Sequence, residues 1–489
     1  MKRLQFNEET FRDGQQSLWA NRMKTGPMLD AAPMLDEAGF DSINIMSGSA
    51  FESCVLYLNE DPWERLHLLG RLLPKTDIQV LIRGRSAFGW RRFPDDAIEL
   101  LIRCLQNTGV KGIVVFDGLN DISNIAWHIR VAKKIGLQIH PALVFTESPV
   151  HTDDYYAAKA RECVKLGVDS VNLADASGLL SPERVRTLIP AIRKVVGDKA
   201  FFSFVSHDGT GLAVQNYIEA LSVGVDNLST TSLPLSYGNS IPSTLDVVSL
   251  AREAGYDVDI DTGLQKRIDD YFYRVAYEEG QPVGRRVQFD PVKFKNYTRH
   301  QIPGGMMSHL VSQLKNLGLD HHLSAVLEEA GRVRQEIGYP VMVTPFSQIV
   351  GVQAVFNVIE GERYKTVPSD LCLYARGYYG TPASPIDPDV MDRILEGEEK
   401  EPIDPAAHYT EPLVEEVRRQ AGARRSDEEL LLELFFSRPT IERFHRDRKP
   451  IEFPAATTPL SVLIRELSKR ANVGRVRIQK GGVSLEQVF

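Results

Sequence analysis

Eight short apolar segments recur along the first half of the chain, at 5–13, 42–48, 77–84, 112–118, 138–146, 170–177, 200–208 and 225–232. Runs such as DIQVLIRG and GIVVFDG are nearly continuous in Val, Ile, Leu and Phe. They predict strands of a parallel sheet covered on its outer face. Helical periodicity fills the gaps, as in 95–106 (DDAIELLIRCLQ) and 154–166 (DYYAAKARECVKL). Eight strand-then-helix units in succession predict an α/β fold, a (β/α)8 TIM barrel with its active site at the C-terminal ends of the strands. The polar residues ending these segments, Arg12-Asp13, Arg83, Asp117, Asp175 and His207-Asp208, are therefore expected to converge on one pocket.

After the barrel the periodicity becomes helical. A mainly helical second domain is expected over 289–448, packed at the barrel mouth. Pro303-Gly304-Gly305 forms a turn there, followed by amphipathic helices over 306–317 and 323–337. In 344–364 an apolar stripe, Ile349, Val352, Phe356 and Ile359, needs a packing partner. This domain either simply covers the mouth or carries catalytic residues on a lid. Residues 386–429 read as a charged connection around short helices. The remaining extension, 449–489, predicts a helix (LSVLIRELSKRA) and a hairpin turning at Gly481-Gly482. The expected divisions are thus 1–288, 289–448 and 449–489.

A chain of 489 residues has room for more than one core. Its net charge of −8 argues against nucleic-acid binding, which needs a basic face. The four cysteines, Cys54, Cys104, Cys163 and Cys372, lack metal-ligand spacing and read as buried thiols. With no signal-peptide pattern and no apolar run of about 18 residues, a soluble cytoplasmic protein without membrane insertion is expected.

Four polar residues at three strand ends carry the candidate chemistry. Asp13 could ligate a divalent metal or act as a base while Arg12 holds an anion; equally, the two could close the first turn as a salt bridge. His207 is placed as a ligand or an acid–base group, or as a structural hydrogen-bonding residue. Arg83, ending a buried run, needs an anion, which a substrate carboxylate or an internal Asp such as Asp117 would supply.

The stretches FRDGQQSLWANRM (11–23), LIRGRSAFGW (81–90), VFDGLND (115–121), DASGLLSP (175–182), SHDGTG (206–211), RHQIPGGMMSHLVSQL (299–314) and GYPVMVTPFSQIVGVQAVFNV (338–358) carry a family resemblance. The chain resembles the carboxyltransferase component of biotin-dependent enzymes: the pyruvate carboxylase carboxyltransferase domain, the oxaloacetate decarboxylase α subunit and the transcarboxylase 5S subunit. The resemblance implies carboxyl transfer (or decarboxylation) between carboxybiotin and a small carboxylate or keto-acid-like substrate. It makes Asp13 a metal ligand, Arg83 the substrate-carboxylate arginine, Gln16 a contact to the substrate oxygen, and Ser308 the proton shuttle to biotin. Arg12 joins Arg83 and Gln16 in substrate binding, and His207 joins the catalytic set. The resemblance also implies an assembly: a homodimer, with a biotin carrier protein and a biotin carboxylase subunit as partners. No Met-Lys-Met turn occurs, so biotin is expected on a separate protein.

This chain departs from the family at the metal. Ala174 stands where the family has a carbamylated Lys, and Val205 where it has the first His of a His-x-His pair, leaving Asp13 and His207. No bound metal is expected, because catalytic sites usually need three protein ligands. The family's Trp-Gly-Gly after strand two is Met46-Ser47-Gly48, and its strand-four Arg is Val114. Two other readings stay open: a metal-independent carbon–carbon lyase or aldolase using His207 with Asp13 or Asp175, and a non-catalytic scaffold for carboxylase partners.

Overall fold

The computed structural model describes all residues except 1, 90, 304–306, 308–309, 312–313, 316–317, 398–400, 404–408, 410, 422–424, 452–474, 481–482 and 489. Eight parallel strands close into a barrel in chain order: β1 (Gln5–Glu8), β2 (Ser42–Ser47), β3 (Asp77–Arg83), β4 (Gly112–Phe116), β5 (Gln138–Val144), β6 (Ser170–Asp175), β7 (Phe201–Ser206) and β8 (Asn227–Thr230). Closure is made by β8 against β1, with Leu228 opposite Phe6.

Alternate strand residues face opposite ways. One set, including Ile43, Ile78, Val80, Ile113, Leu173, Phe202 and Phe204, joins the apolar core shared with the surrounding helices. The other set lines the barrel interior and is largely polar: Asn7, Gln79, His140, Asn172, Ser203, Asn227 and Ser229. The strands therefore alternate more than their composition suggested. Gly112 makes room in this interior, since a Cβ there would lie 2.9 Å from His140 Nε2.

Local chemistry starts the covering helices. Asp61 accepts from the N–H groups of Trp63 and Glu64, with Pro62 in the first turn of Pro62–Leu72. Ser181 caps Pro182–Val196 in the same way. Such caps satisfy orphan donors of the first turn and fix where each loop ends.

A second apolar cluster lies in the region after the barrel, around the helices Leu323–Glu336 and Phe346–Glu360. Leu119, from the loop after β4, inserts into it and ties the two regions together. The expected stripe is corrected here. Ile349 is buried, but Val352 and Ile359 are each 42 % exposed, and Val350, Gln353, Ala354 and Asn357 take the packed side instead. The later helices Asp427–Phe435 and Arg438–Asp447 return to the barrel: Leu431, Leu434 and Phe444 belong to its core, and the Phe435 ring lies edge-on to Phe93 at 5.1 Å.

The final hairpin pairs Arg475–Lys480 with Val483–Val488, Lys480 opposite Val483. Gly481-Gly482, the helix expected at 460–471 and much of that expected at 306–317 lie outside the described residues. All four cysteines are buried and none is in a disulfide. No described helix is long and apolar enough to cross a membrane.

Candidate active site

A cavity of about 2220 Å³ runs the length of the barrel, from Asp41, Asp77 and Asp226 at the starts of the strands to Arg83 and His207 at their C-terminal ends. Its roof comes from the second region: Asn296, Tyr297 and His300 of the helix Pro291–His300, then Met307 and Leu310, then Gln348, Val352 and Phe356. Arg12, Asp13, Gln16, Arg83 and His207 all line it.

Arg12 and Asp13 are not carried on a strand. β1 stops at Glu8, and Thr10–Gly14 forms a single π-type turn that swings both side chains over the mouth. There they join a chain of charges. Arg12 Nε donates to Glu9 Oε2 at 2.7 Å and Nη1 to Asp13 Oδ2 at 2.7 Å. His207 Nε2 approaches the same Asp13 oxygen at 3.2 Å, while Ser17 donates to Oδ1 at 2.9 Å. His207 Nδ1 is held by the Asn239 carbonyl at 2.8 Å. Glu9, which sequence reasoning did not single out, also accepts from Asn7 Nδ2 at 2.6 Å and Asn44 Nδ2 at 3.3 Å. The period-two run Gln5, Asn7, Glu9 was the available signal for an inward polar face.

Burial opposes charge throughout this cluster, and neighbours decide the outcome. Burial alone would raise the Asp13 carboxyl, but His207 and Arg12 hold it well below the carboxylate range. His207 is raised because the Asp13 carboxylate outweighs its desolvation. Glu9 is raised by burial despite Arg12. The salt-bridge reading of Arg12 and Asp13 thus holds, with His207 added to it.

Gln16 is pinned from β2. Ser47 and Ser49 hydroxyls both donate to its Oε1, at 2.8 and 2.9 Å, which uses both lone pairs of the amide oxygen. The Nε2 donors are left for the cavity side. Arg83 ends β3 half-buried; desolvation lowers its pKa and the charge of the Glu52 carboxylate opposes this.

Asp117, Asp175 and Asp208 do not join the mouth, which corrects the expected convergence. Asp117 accepts from the N–H groups of Leu119 and Asp121 at 2.9 and 3.0 Å. Asp175 accepts from those of Leu179 and Leu180 and from Ser206 Oγ. Asp208 accepts from Val287 N–H at 3.1 Å. These carboxylates shape loops. Ser308 lies outside the described residues.

The donor set does not fit a resident divalent metal. Ala174 and Val205 face each other as register partners on β6 and β7 and both line the cavity, so the interior beside Asp13 and His207 presents methyl groups there. The described residues contain no group of three or more His, Cys, Asp or Glu side chains able to hold a metal ion.

Residues 298–483 match the family described as "Conserved carboxylase domain", and residues 107–271 match the "HMGL-like" family. A pyruvate carboxylase subunit of Methanocaldococcus jannaschii is 37% identical over 430 residues, covering 87% of this chain and 74% of that protein. The chain belongs to the family of carboxyltransferase components of biotin-dependent enzymes. The 5S subunit of methylmalonyl-CoA carboxyltransferase from Propionibacterium freudenreichii is 34% identical over 396 residues, covering 81% of this chain and 77% of that one. The 2-oxoglutarate carboxylase large subunit of Hydrogenobacter thermophilus is 34% identical over 442 residues, covering 89% and 67%. Among solved structures, the carboxyl transferase domain of Rhizobium etli pyruvate carboxylase with oxamate and biotin superposes with a TM-score of 0.82 at 25% identity, covering 91% of this chain and 78% of that one. The barrel and its helical roof are thus the carboxyltransferase architecture of this family.

Proposed function

We propose that this chain moves a carboxyl group between carboxybiotin, carried on a separate biotin carrier protein, and the enolate of a small 2-keto acid. The observation that carries this reading is the meeting of Gln16, Arg83, Arg12, Asp13 and His207 at one roofed mouth. Arg83 binds the substrate carboxylate through its planar fork. Gln16 Nε2 donates to the keto oxygen, its orientation fixed by Ser47 and Ser49. Arg12 and His207 present positive charge to the enolate oxygen in a site shielded from water, where fixed charges act strongly.

In the forward step the N–C bond of carboxybiotin breaks and a C–C bond forms to the enolate carbon. The proton lost from that carbon travels through the Ser308 hydroxyl to the biotin nitrogen, since a hydroxyl can pass a proton either way without holding charge. No resident divalent metal takes part. A biotin carboxylase subunit recharges the carrier, and the chain works as a homodimer in the cytoplasm. Its units are a barrel over 1–288, a helical roof over 289–448 and an extension over 449–489.

The deciding experiment mixes the purified chain with a carboxylated biotin carrier and a 2-keto acid, and follows loss of label from the carrier. Ser308→Ala is expected to lower transfer by a factor of about 100 or more while sparing keto-acid binding. Transfer at the wild-type rate in that variant removes Ser308 from the mechanism, and no transfer by the wild type with any 2-keto acid refutes the reading.

A further inference from the structure

Arg85 and Arg92 lie in the loop after β3, close behind Arg83. Their guanidinium carbons sit 4.0 and 5.1 Å from the centroid of one ring, that of Tyr409, so two like charges lie against one aromatic ring. Their hydrogen bonds use only part of the donor inventory. Arg85 Nη1 donates to Asp95, and Arg92 Nη2 donates to Asn124 Oδ1 at 2.7 Å. Arg85 Nε, Arg92 Nε and the Tyr409 hydroxyl are buried without a hydrogen-bond partner among the described residues. Buried donors are normally satisfied, because leaving one unmade costs its full desolvation. Three such donors in one cluster define a place that lacks an acceptor among the described residues.

A side chamber of about 20 Å³ lies against these arginines. Arg83, Phe116 and Thr344 line both this chamber and the main cavity, so the two adjoin. The chamber has room for the end of a ligand rather than a whole one. Asp117, which also lines it, is already engaged: Oδ1 takes the N–H groups of Leu119 and Asp121, and Oδ2 takes Asn124 Nδ2 at 3.1 Å. It does not reach the two Nε donors, which keep no hydrogen-bond partner among the described residues. A carboxylate presents two acceptor oxygens and matches guanidinium geometry.

We propose that this chamber is a subsite for the distal carboxylate of a dicarboxylic 2-keto acid whose head lies in the main cavity. The assignment rests on the carboxyl-transfer reading and narrows it: the chain selects dicarboxylic over monocarboxylic acceptors.

The test separates binding from turnover. Calorimetry compares glutarate, a dicarboxylate, with butyrate of similar length, on the full chain. Glutarate is expected to bind at least about tenfold tighter, as one charged contact supplies. Arg92→Gln and Arg85→Gln are each expected to erase most of that preference, and Arg92→Lys to restore part of it. If Arg85→Gln fails to fold because Asp95 loses its partner, Arg92→Gln alone decides. Equal affinities in the wild type, or a preference that survives Arg92→Gln, overturn the subsite. Sodium chloride added at equal ionic strength to a non-coordinating salt serves as the inorganic-anion arm: abolition of the preference by chloride alone assigns the site to a free anion and overturns the proposal. In the transfer assay, 2-oxoglutarate is expected to exceed pyruvate in kcat/KM by about tenfold or more. Equal values for the two overturn the subsite and leave the carboxyl-transfer reading standing. Absence of transfer to both, with the glutarate preference intact, refutes that reading and keeps the subsite.

Discussion

His207 Nε2 lies 3.2 Å from Asp13 Oδ2, and that oxygen also receives Arg12 Nη1 at 2.7 Å. One carboxylate therefore holds two cations at the mouth of the barrel. Removing its charge by Asp13→Asn leaves His207 without its carboxylate and Arg12 with Glu9 alone, in a buried place. Loss of one partner from such a pair costs about 3–5 kcal/mol. A clear fall in the unfolding midpoint is expected, together with carboxyl transfer reduced at least about tenfold. An Asp13→Asn protein with wild-type stability would show that neither cation depends on the Asp13 charge.

Arg83 calls for a milder change, because its positive charge interacts with the Glu52 carboxylate. Arg83→Lys keeps the charge and removes the planar fork. The expected result is a KM for the keto acid raised about tenfold with an unfolding midpoint close to wild type, since two parallel hydrogen bonds become one point contact. An unchanged KM would place the substrate carboxylate elsewhere.

The barrel was legible in the sequence because each strand repeats a strong signal, an apolar run followed by a helical period. Arg12, Asp13, Arg83 and His207 were legible for the same reason: strand-end positions map to one mouth, whereas Gln16 came from the family resemblance alone. Asp117, Asp175 and Asp208 occupy similar positions but turn away, because nearby backbone N–H groups in their own loops or in the segment around Val287 claim their oxygens. Position along a strand does not report which donors a loop will present. Glu9 lay inside the first apolar segment, where only its period-two place after Gln5 and Asn7 marked it, and β1 itself ends one residue before it, at Glu8. The pairing of Ser47 and Ser49 with Gln16 spans about thirty residues and has no local signature. Arg85 and Arg92 did leave a trace, four arginines in the ten residues 83–92. What that run lacked was the chamber, which depends on Thr344 arriving from the second region.

The metal is open to direct measurement. Asp13 and His207 remain of the donor set, with Ala174 and Val205 paired across β6 and β7 beside them. Elemental analysis of the purified protein is expected to find no stoichiometric zinc, manganese or cobalt, and EDTA to leave carboxyl transfer unchanged. Two protein ligands hold divalent ions weakly, whereas catalytic sites use three or more. About one metal per chain, lost together with activity on chelation, would overturn the expectation.

Glu8 makes the stability of the barrel pH-dependent. It is wholly buried at the end of β1, next to the π-type turn, and both its oxygens accept from Thr10 N–H at 3.0 Å. Burial raises its pKa from 4.5 to about 8; the Thr10 hydrogen bonds oppose this, and the charges of Glu9 and Asp269 add to it. A raised folded-state pKa means that the folded chain binds the extra proton between those values. Its contribution is complete below the unfolded pKa and is lost as the pH rises through the folded one, at up to about 1.4 kcal/mol per pH unit for one group. Glu8→Gln keeps the shape and cannot ionise. Relative to the wild type, this variant is expected to gain stability steadily from pH 5 to pH 8, with the difference levelling off above that. Urea unfolding at several pH values reads the difference directly. Parallel stability profiles for the two proteins would mean that Glu8 has the same proton affinity folded and unfolded, and that the turn beside it carries a charge through its buried start.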